Sequence, residues 1–157
     1  HERLVGSEMC IRDRDKFESC ILAKEQLMYV VSKKHPMAKK KCMTIEDFRD
    51  ENLLMFNVDS VQNELLKNRF DQLKLNPRII MRSSQLYTTL KFIDNGSCGC
   101  FLFSDMLPHF KQYKGIPLEP PIDVNIGIVW KKGNFLSHSA QLFIDFAMQY
   151  CSENITT

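Results

Sequence analysis

The chain has 157 residues, about the length of one domain, with ordinary apolar and charged content and a formal charge of +2. So small a charge points to no nucleic-acid or membrane surface, and no apolar run reaches the length of a membrane helix. No basic, then apolar, then small-residue opening marks a signal peptide, and the scattered cysteines read as the reduced thiols of a cytoplasmic, non-membrane protein.

The first residues fit no fold pattern. Residues 7–14 (SEMCIRDR) read like a translated sequencing adapter, so residues 1–15 are set apart as a tail, with the genuine chain expected to begin near Asp15. Residues 27–31 (LMYVV) predict a strand that stops at Lys33-Lys34-His35-Pro36, since proline cannot donate to a ladder. Thr44 and Asp47 frame a short capped helix over residues 44–48, and residues 53–56 (LLMF) predict a second strand. Ser60 precedes the clearest helix, with Val61, Leu65, Leu66, Phe70 and Leu73 at helical spacing. Asn76-Pro77 breaks the chain before a third strand at residues 78–81 (RIIM). Ser83 or Ser84 is expected to cap a second helix that turns Leu86, Leu90 and Ile93 inward and ends at Asn95-Gly96. A fourth strand follows at residues 98–103, then a short helix near residues 104–111. Residues 115–123, with three prolines, read as an extended connection. Residues 125–130 (NIGIVW) predict a fifth strand. Ser137 or Ser139 caps a last helix with Phe143, Ala147 and Tyr150 along one side, and residues 152–157 read as a frayed tail.

Strands alternating with helices predict an α/β fold with a mainly parallel sheet covered on both faces. Such sheets bind ligands beyond the carboxyl ends of their strands, at helix N-termini, which places the candidate site at Ser60 and Ser83-Ser84.

Catalytic and metal signals are sparse. The six cysteines lack the doubled spacing of a zinc site, and they read as reduced thiols used as small apolar residues; no metal and no cofactor are expected. The four histidines read as surface residues, none brought by the sequence to Cys98 or Cys100. Nucleotide-binding glycine motifs, a nucleophile elbow and a zinc-protease motif are absent. The lysines around His35-Pro36 read as a solvated loop in preference to a phosphate patch. Trp130 reads as packing.

Several stretches, taken in order, resemble LysR-type transcriptional regulators. Val31-Ser32-Lys33-Lys34-His35-Pro36-Met37-Ala38 is similar to the family's "v-p-x-x-H-P-L-A", and Thr44-Ile45-Glu46-Asp47-Phe48 to the helix after it. Leu75-Asn76-Pro77-Arg78-Ile79-Ile80 is similar to "g-x-x-P-x-i-v", residues 90–103 to "l-x-x-l-V-x-x-G-x-G-i-x-x-l-P", and Ile128-Val129-Trp130 with residues 139–146 to the closing stretch. Gly96 stands at the family's first glycine. Cys98-Gly99 matches the second loosely, and the usual proline after the strand is missing.

The resemblance, over about residues 18–151, implies an effector-binding domain like the type 2 periplasmic-binding proteins: two α/β lobes joined by crossover strands. It implies a partial first lobe from residues 16–57 and 123–151, a second lobe from residues 58–122, and crossovers near residues 56–57 and 122–124. It further implies a fragment without the family's N-terminal helix-turn-helix, so that DNA binding belongs only to the full-length regulator, as does self-association. The implied ligand is a small anionic metabolite held between the lobes by Ser60, Val61, Gln62, Asn63, Ser83 and Ser84; no catalysis is implied. Two other readings stay open: a solute-binding receptor of the same fold, and a cysteine-dependent enzyme.

Overall fold

The computed structural model describes residues 14–154. The adapter-like stretch up to residue 13, with His1 and Cys10, and the last three residues of the expected frayed tail lie outside the described residues. Residues 152–154 of that tail are helical.

The described residues form two compact units, residues 26–123 and the combination of residues 14–25 with 124–154. The chain passes between them twice, inside strand β1 (Phe17–Ser32) and at the start of strand β6 (Asp123–Lys131). Where β1 enters the larger unit, Leu27 N–H donates to the Ile122 carbonyl at 2.9 Å and Gln26 Nε2 donates to Asp123 Oδ1 at 2.9 Å.

The larger unit is built on a sheet with the order β3-β2-β4-β1-β5, where β2 is Asn52–Met55, β3 Arg78–Arg82, β4 Gly99–Phe103 and β5 Tyr113–Pro117. β2 runs parallel to β3 and β4, while β1 runs antiparallel to β4 and β5. The sheet is therefore mixed, not mainly parallel as the alternation of elements predicts. The antiparallel member is β1, whose partners β4 and β5 are distant in sequence, a pairing that the local alternation of elements does not encode.

Helix α1 (Val61–Gln72) follows β2 and helix α2 (Leu86–Ile93) follows β3. Successive side chains of β1 point to opposite faces. Leu27, Tyr29 and Val31 join Phe48, Leu53, Leu66, Phe70 and Phe101 in one buried cluster; Val30 joins Leu54, Leu90, Ile93, Cys100 and Leu102 in another. Both faces are thus covered, which is why β1 from residue 29 and β4 from Gly99 to Leu102 are buried without alternation.

The lobe boundary expected after residue 57 does not coincide with these units. Residues 26–57 share the sheet of residues 58–123, because β2 lies between β3 and β4. The extended connection also contains part of a strand: β5 is an edge strand, where Pro117 is tolerated.

In the smaller unit β6 pairs with the first half of β1. Trp130 Nε1 donates to Glu18 Oε2 at 2.7 Å, and Lys132 N–H donates to the Lys16 carbonyl at 2.8 Å. Helix α3 (His138–Asn154) begins at Ser137, whose hydroxyl accepts from Ala140 N–H at 3.2 Å, and it buries Ile144. Phe143 and Tyr150, expected on its apolar side, are exposed, as are Leu142 and Phe146.

Candidate functional site

β2 and β3 are parallel neighbours, so the loops leaving their carboxyl ends emerge side by side; Met55 pairs with Arg82, and Ser83 N–H donates to the Met55 carbonyl at 3.1 Å. Ser60 is the N-cap of α1. Its backbone is extended and its hydroxyl accepts from Asn63 N–H at 3.2 Å, leaving other N–H groups of the first turn without an intrahelical partner.

Asn63 is buried and both ends of its amide are engaged. Nδ2 donates to the Val58 carbonyl at 3.0 Å, and Oδ1 accepts from Arg82 Nη1 at 2.7 Å. The same Nη1 donates to the Phe56 carbonyl at 3.1 Å. Arg82 therefore ties the loop after β2 to the end of β3. The sequence reading missed it; the signal was a cation two residues before Ser84 at the end of an apolar strand.

Gln62, second residue of α1, is 9 % exposed. Val61 is half-buried and Ser84 exposed. The second helix is not capped as expected. Its N-cap is Gln85, and Ser83 Oγ instead accepts from Gln85 N–H at 3.1 Å in a tight turn. The structure thus brings Ser60 to Asn63 and Ser83-Ser84 to one end of the same sheet, with Asn63 occupied internally and Arg82 added.

The cysteine pair lies elsewhere. Cys98 and Cys100 are both buried, burial pushes the Cys98 thiol up, and burial followed by the neighbouring Cys98 pushes Cys100 up to about 12. Neither carries a thiolate near neutral pH. Gly99 between them is required by packing: a Cβ there would overlap the Tyr29 ring. Among the described residues, no group of three or more histidine, cysteine, aspartate or glutamate residues is placed to hold a metal ion.

His35 corrects the expectation of a surface histidine, being only 5 % exposed. Its Nδ1 accepts from Met37 N–H at 3.1 Å, so the proton sits on Nε2, which lies 3.3 Å from Glu51 Oε2. Tyr29 donates its hydroxyl to the same Glu51 oxygen at 3.0 Å. Burial holds the imidazole below its usual pKa, with Glu51 opposing, while burial and then Glu51 push the Tyr29 phenol up. His109 and His138 are exposed, as expected.

A mixed α/β sheet covered on both faces, with polar helix starts gathered at one end, is an architecture of the type 2 periplasmic-binding kind. The family model of the LysR substrate binding domain matches residues 5–152, and the chain belongs to that family. The match begins inside the segment set apart as a tail.

Among curated relatives, the chain is 25 % identical over 150 residues to the HTH-type transcriptional regulator YwbI of Bacillus subtilis, covering 93 % of this chain and 50 % of the relative. It is 27 % identical over 139 residues to the transcriptional dual regulator GltC of the same organism, covering 85 % and 45 %. The chain spans about half the length of the curated relatives it matches. Among solved structures it resembles the effector binding domain of QuiR in complex with shikimate, with a TM-score of 0.74 and 22 % identity over 92 % of this chain and 70 % of that one. It also resembles the Synechocystis PCC6803 CcmR regulatory domain in complex with 2-PG, with a TM-score of 0.79 and 18 % identity over 88 % and 69 %. At these identities the likeness to the two structures is one of fold.

Proposed function

We propose that this chain is the effector-sensing domain of a LysR-type transcriptional regulator, that it binds a small anionic metabolite, and that it transforms nothing. The contacts we assign are Ser60, Val61 and Gln62 at the start of α1, with Ser83 and Ser84 in the loop before α2; Asn63 serves from within. The observation that carries this reading is the Asn63–Arg82 bond, which joins the two loops into one polar surface at the carboxyl ends of β2 and β3. Free N–H groups and the helix dipole at such a surface favour negative charge.

That the relatives include transcriptional regulators, and that QuiR and CcmR domains hold shikimate and 2-PG, supports sensing over turnover. The unionised state of Cys98 and Cys100 argues against the cysteine-enzyme reading. DNA binding and self-association are assigned to the full-length regulator, and its place to the cytoplasm. No helix among the described residues is long and apolar enough to cross a membrane.

A thermal-shift screen of small organic acids tests this reading. A ligand at a hundred times its Kd adds about 2.7 kcal/mol, worth about 5–10 °C in Tm for a chain of this size. Ser84→Val, at an exposed position, leaves the melting temperature of the free protein unchanged and weakens the acid found in the screen, read by calorimetry. Stabilisation by no acid, or equal affinity in the variant, counts against the assignment.

A further inference from the structure

We propose that His35 is an acid-sensitive latch: as a neutral imidazole it fastens the 3-10 turn Pro36–Lys39 that follows β1, and as an imidazolium it releases that turn while the sheet stays folded. The hydrogen-bond geometry carries it. His35 is the N-cap of the turn, and its Nδ1 accepts from Met37 N–H at 3.1 Å. An imidazolium has no acceptor nitrogen, so protonation sets two N–H donors against each other across that distance. The ring has little freedom to turn aside. It is buried, it meets the Tyr29 ring edge-on with centroids 6.2 Å apart, and the His35 backbone N–H is tied to the Ser32 carbonyl at 2.9 Å. The turn between α2 and β4 passes so close that a Cβ added to Gly96 would lie 3.2 Å from the His35 backbone nitrogen. The 3-10 turn is the part that can give. Pro36 and Lys39 are exposed, Met37 and Ala38 are half-buried, and the turn's backbone bonds, Ala38 N–H to the His35 carbonyl and Lys40 N–H to the Met37 carbonyl, lie within it.

The charges around the ring set the direction. Glu51, from the loop before β2, places Oε2 3.3 Å from Nε2, and Tyr29 on β1 donates its hydroxyl to the same oxygen at 3.0 Å. Glu51 therefore holds an imidazolium on its Nε2 side, and the conflict falls on Met37. On the latch's own segment, Lys33, Lys34 and Lys39 are exposed cations that oppose a further positive charge. Asp94, at the end of α2, is engaged by the Tyr113 hydroxyl at 2.6 Å and by Lys91 at 3.4 Å. Burial outweighs Glu51 and holds the imidazole below its usual pKa, so the latch is shut at neutral pH and opens in acid.

Amide hydrogen exchange of the whole chain, followed by NMR from about pH 7.5 to about pH 5 and corrected for intrinsic rates, tests this. Met37 loses protection by about tenfold per pH unit below about pH 6.5, the slope of one linked proton. Low urea does not accelerate that opening, because it exposes little surface, whereas the core amides of Val30 and Phe101 exchange far more slowly and with the urea dependence of global unfolding. His35→Asn keeps an acceptor for Met37 N–H without a titrating ring, and abolishes the pH slope at Met37. Glu51→Gln removes the charge that supports the imidazolium, and extends the slope to lower pH. Melting curves of both variants verify that the fold is kept. A Met37 slope that survives in His35→Asn overturns the latch. So does wild-type protection at Met37 that stays flat as the pH falls, or that is lost only with the urea dependence of Val30 and Phe101.

Discussion

At the scale of single residues, two positions carry consequences. Gly99 lies where the Tyr29 ring crosses β4, and Tyr29 is held edge-on to Phe48 with centroids 4.9 Å apart and by its hydroxyl bond to Glu51. The ring cannot yield cheaply, so Gly99→Ala is expected to cost about 1–3 kcal/mol, the usual range for overpacking a filled core. Urea unfolding measures it, and an unchanged midpoint would mean the ring moves aside. His35 supplies a pH dependence. Its pKa in the folded protein lies below the unfolded value of about 6.5, so the unfolded chain binds the extra proton. Stability from this group is therefore complete above about pH 6.5 and falls as the pH drops toward the folded pKa. His35→Asn should flatten that part of the stability curve between pH 7.5 and 5.5, within about the range where histidine titrates. An identical slope in the variant would assign the dependence to another group. The helix end at Asn95-Gly96 and the strand that follows it were legible, and Gly96 does adopt a left-handed φ of 79°. The ring that demands Gly99, and the Glu51 that partners buried His35, are distant in sequence, and local pattern carries no trace of either.

At the scale of elements, capping and burial separate what sequence pattern encodes from what packing decides. Ser60 was read as the cap of α1 and is one, whereas Ser83 and Ser84 were read as caps and α2 begins after Gln85. Ser-Ser-Gln offers three candidate starts, and propensity alone does not choose among them. Within α1, Leu66 and Phe70 are buried as the spacing predicts, but Leu73, the C-cap residue just past the helix, is 48 % exposed. Gln62 and Asn63 are buried in its first turn beside that apolar face, polar burial that the apolar spacing does not encode. Ser60→Ala should lower stability by about 1 kcal/mol, or about 2–4 °C in Tm, and Ser60→Asp should restore most of it, since either oxygen accepts from Asn63 N–H. Equal melting of all three proteins would show that the cap contributes nothing. The length of β1 was not legible. Only its apolar second half stood out, because residues 17–25 (FESCILAKE) carry polar and apolar residues in blocks without the two-residue period of a strand.

At the scale of the whole molecule, the two units differ in what holds them. Both buried clusters lie wholly within residues 27–122, whereas the smaller unit buries Val124 and Ile144 and exposes Phe135, Leu142, Phe143 and Phe146. Since stability near room temperature follows buried apolar area, the larger unit should outlast the smaller one. The sequence contains a probe for each. Trp130, the chain's one tryptophan, sits on β6 and reports the smaller unit through its fluorescence. Cys98 and Cys100, buried in the larger, react with a thiol reagent only when that unit opens, while exposed Cys42 reacts at once and serves as the internal reference. As urea rises, the Trp130 signal should change before Cys98 and Cys100 become reactive, giving two transitions with separate midpoints. Coincident midpoints would show one cooperative unit despite the unequal burial. Identifying the modified cysteines by peptide mapping keeps Cys20 and Cys151, which belong to the smaller unit and are half-buried, from being mistaken for the protected pair.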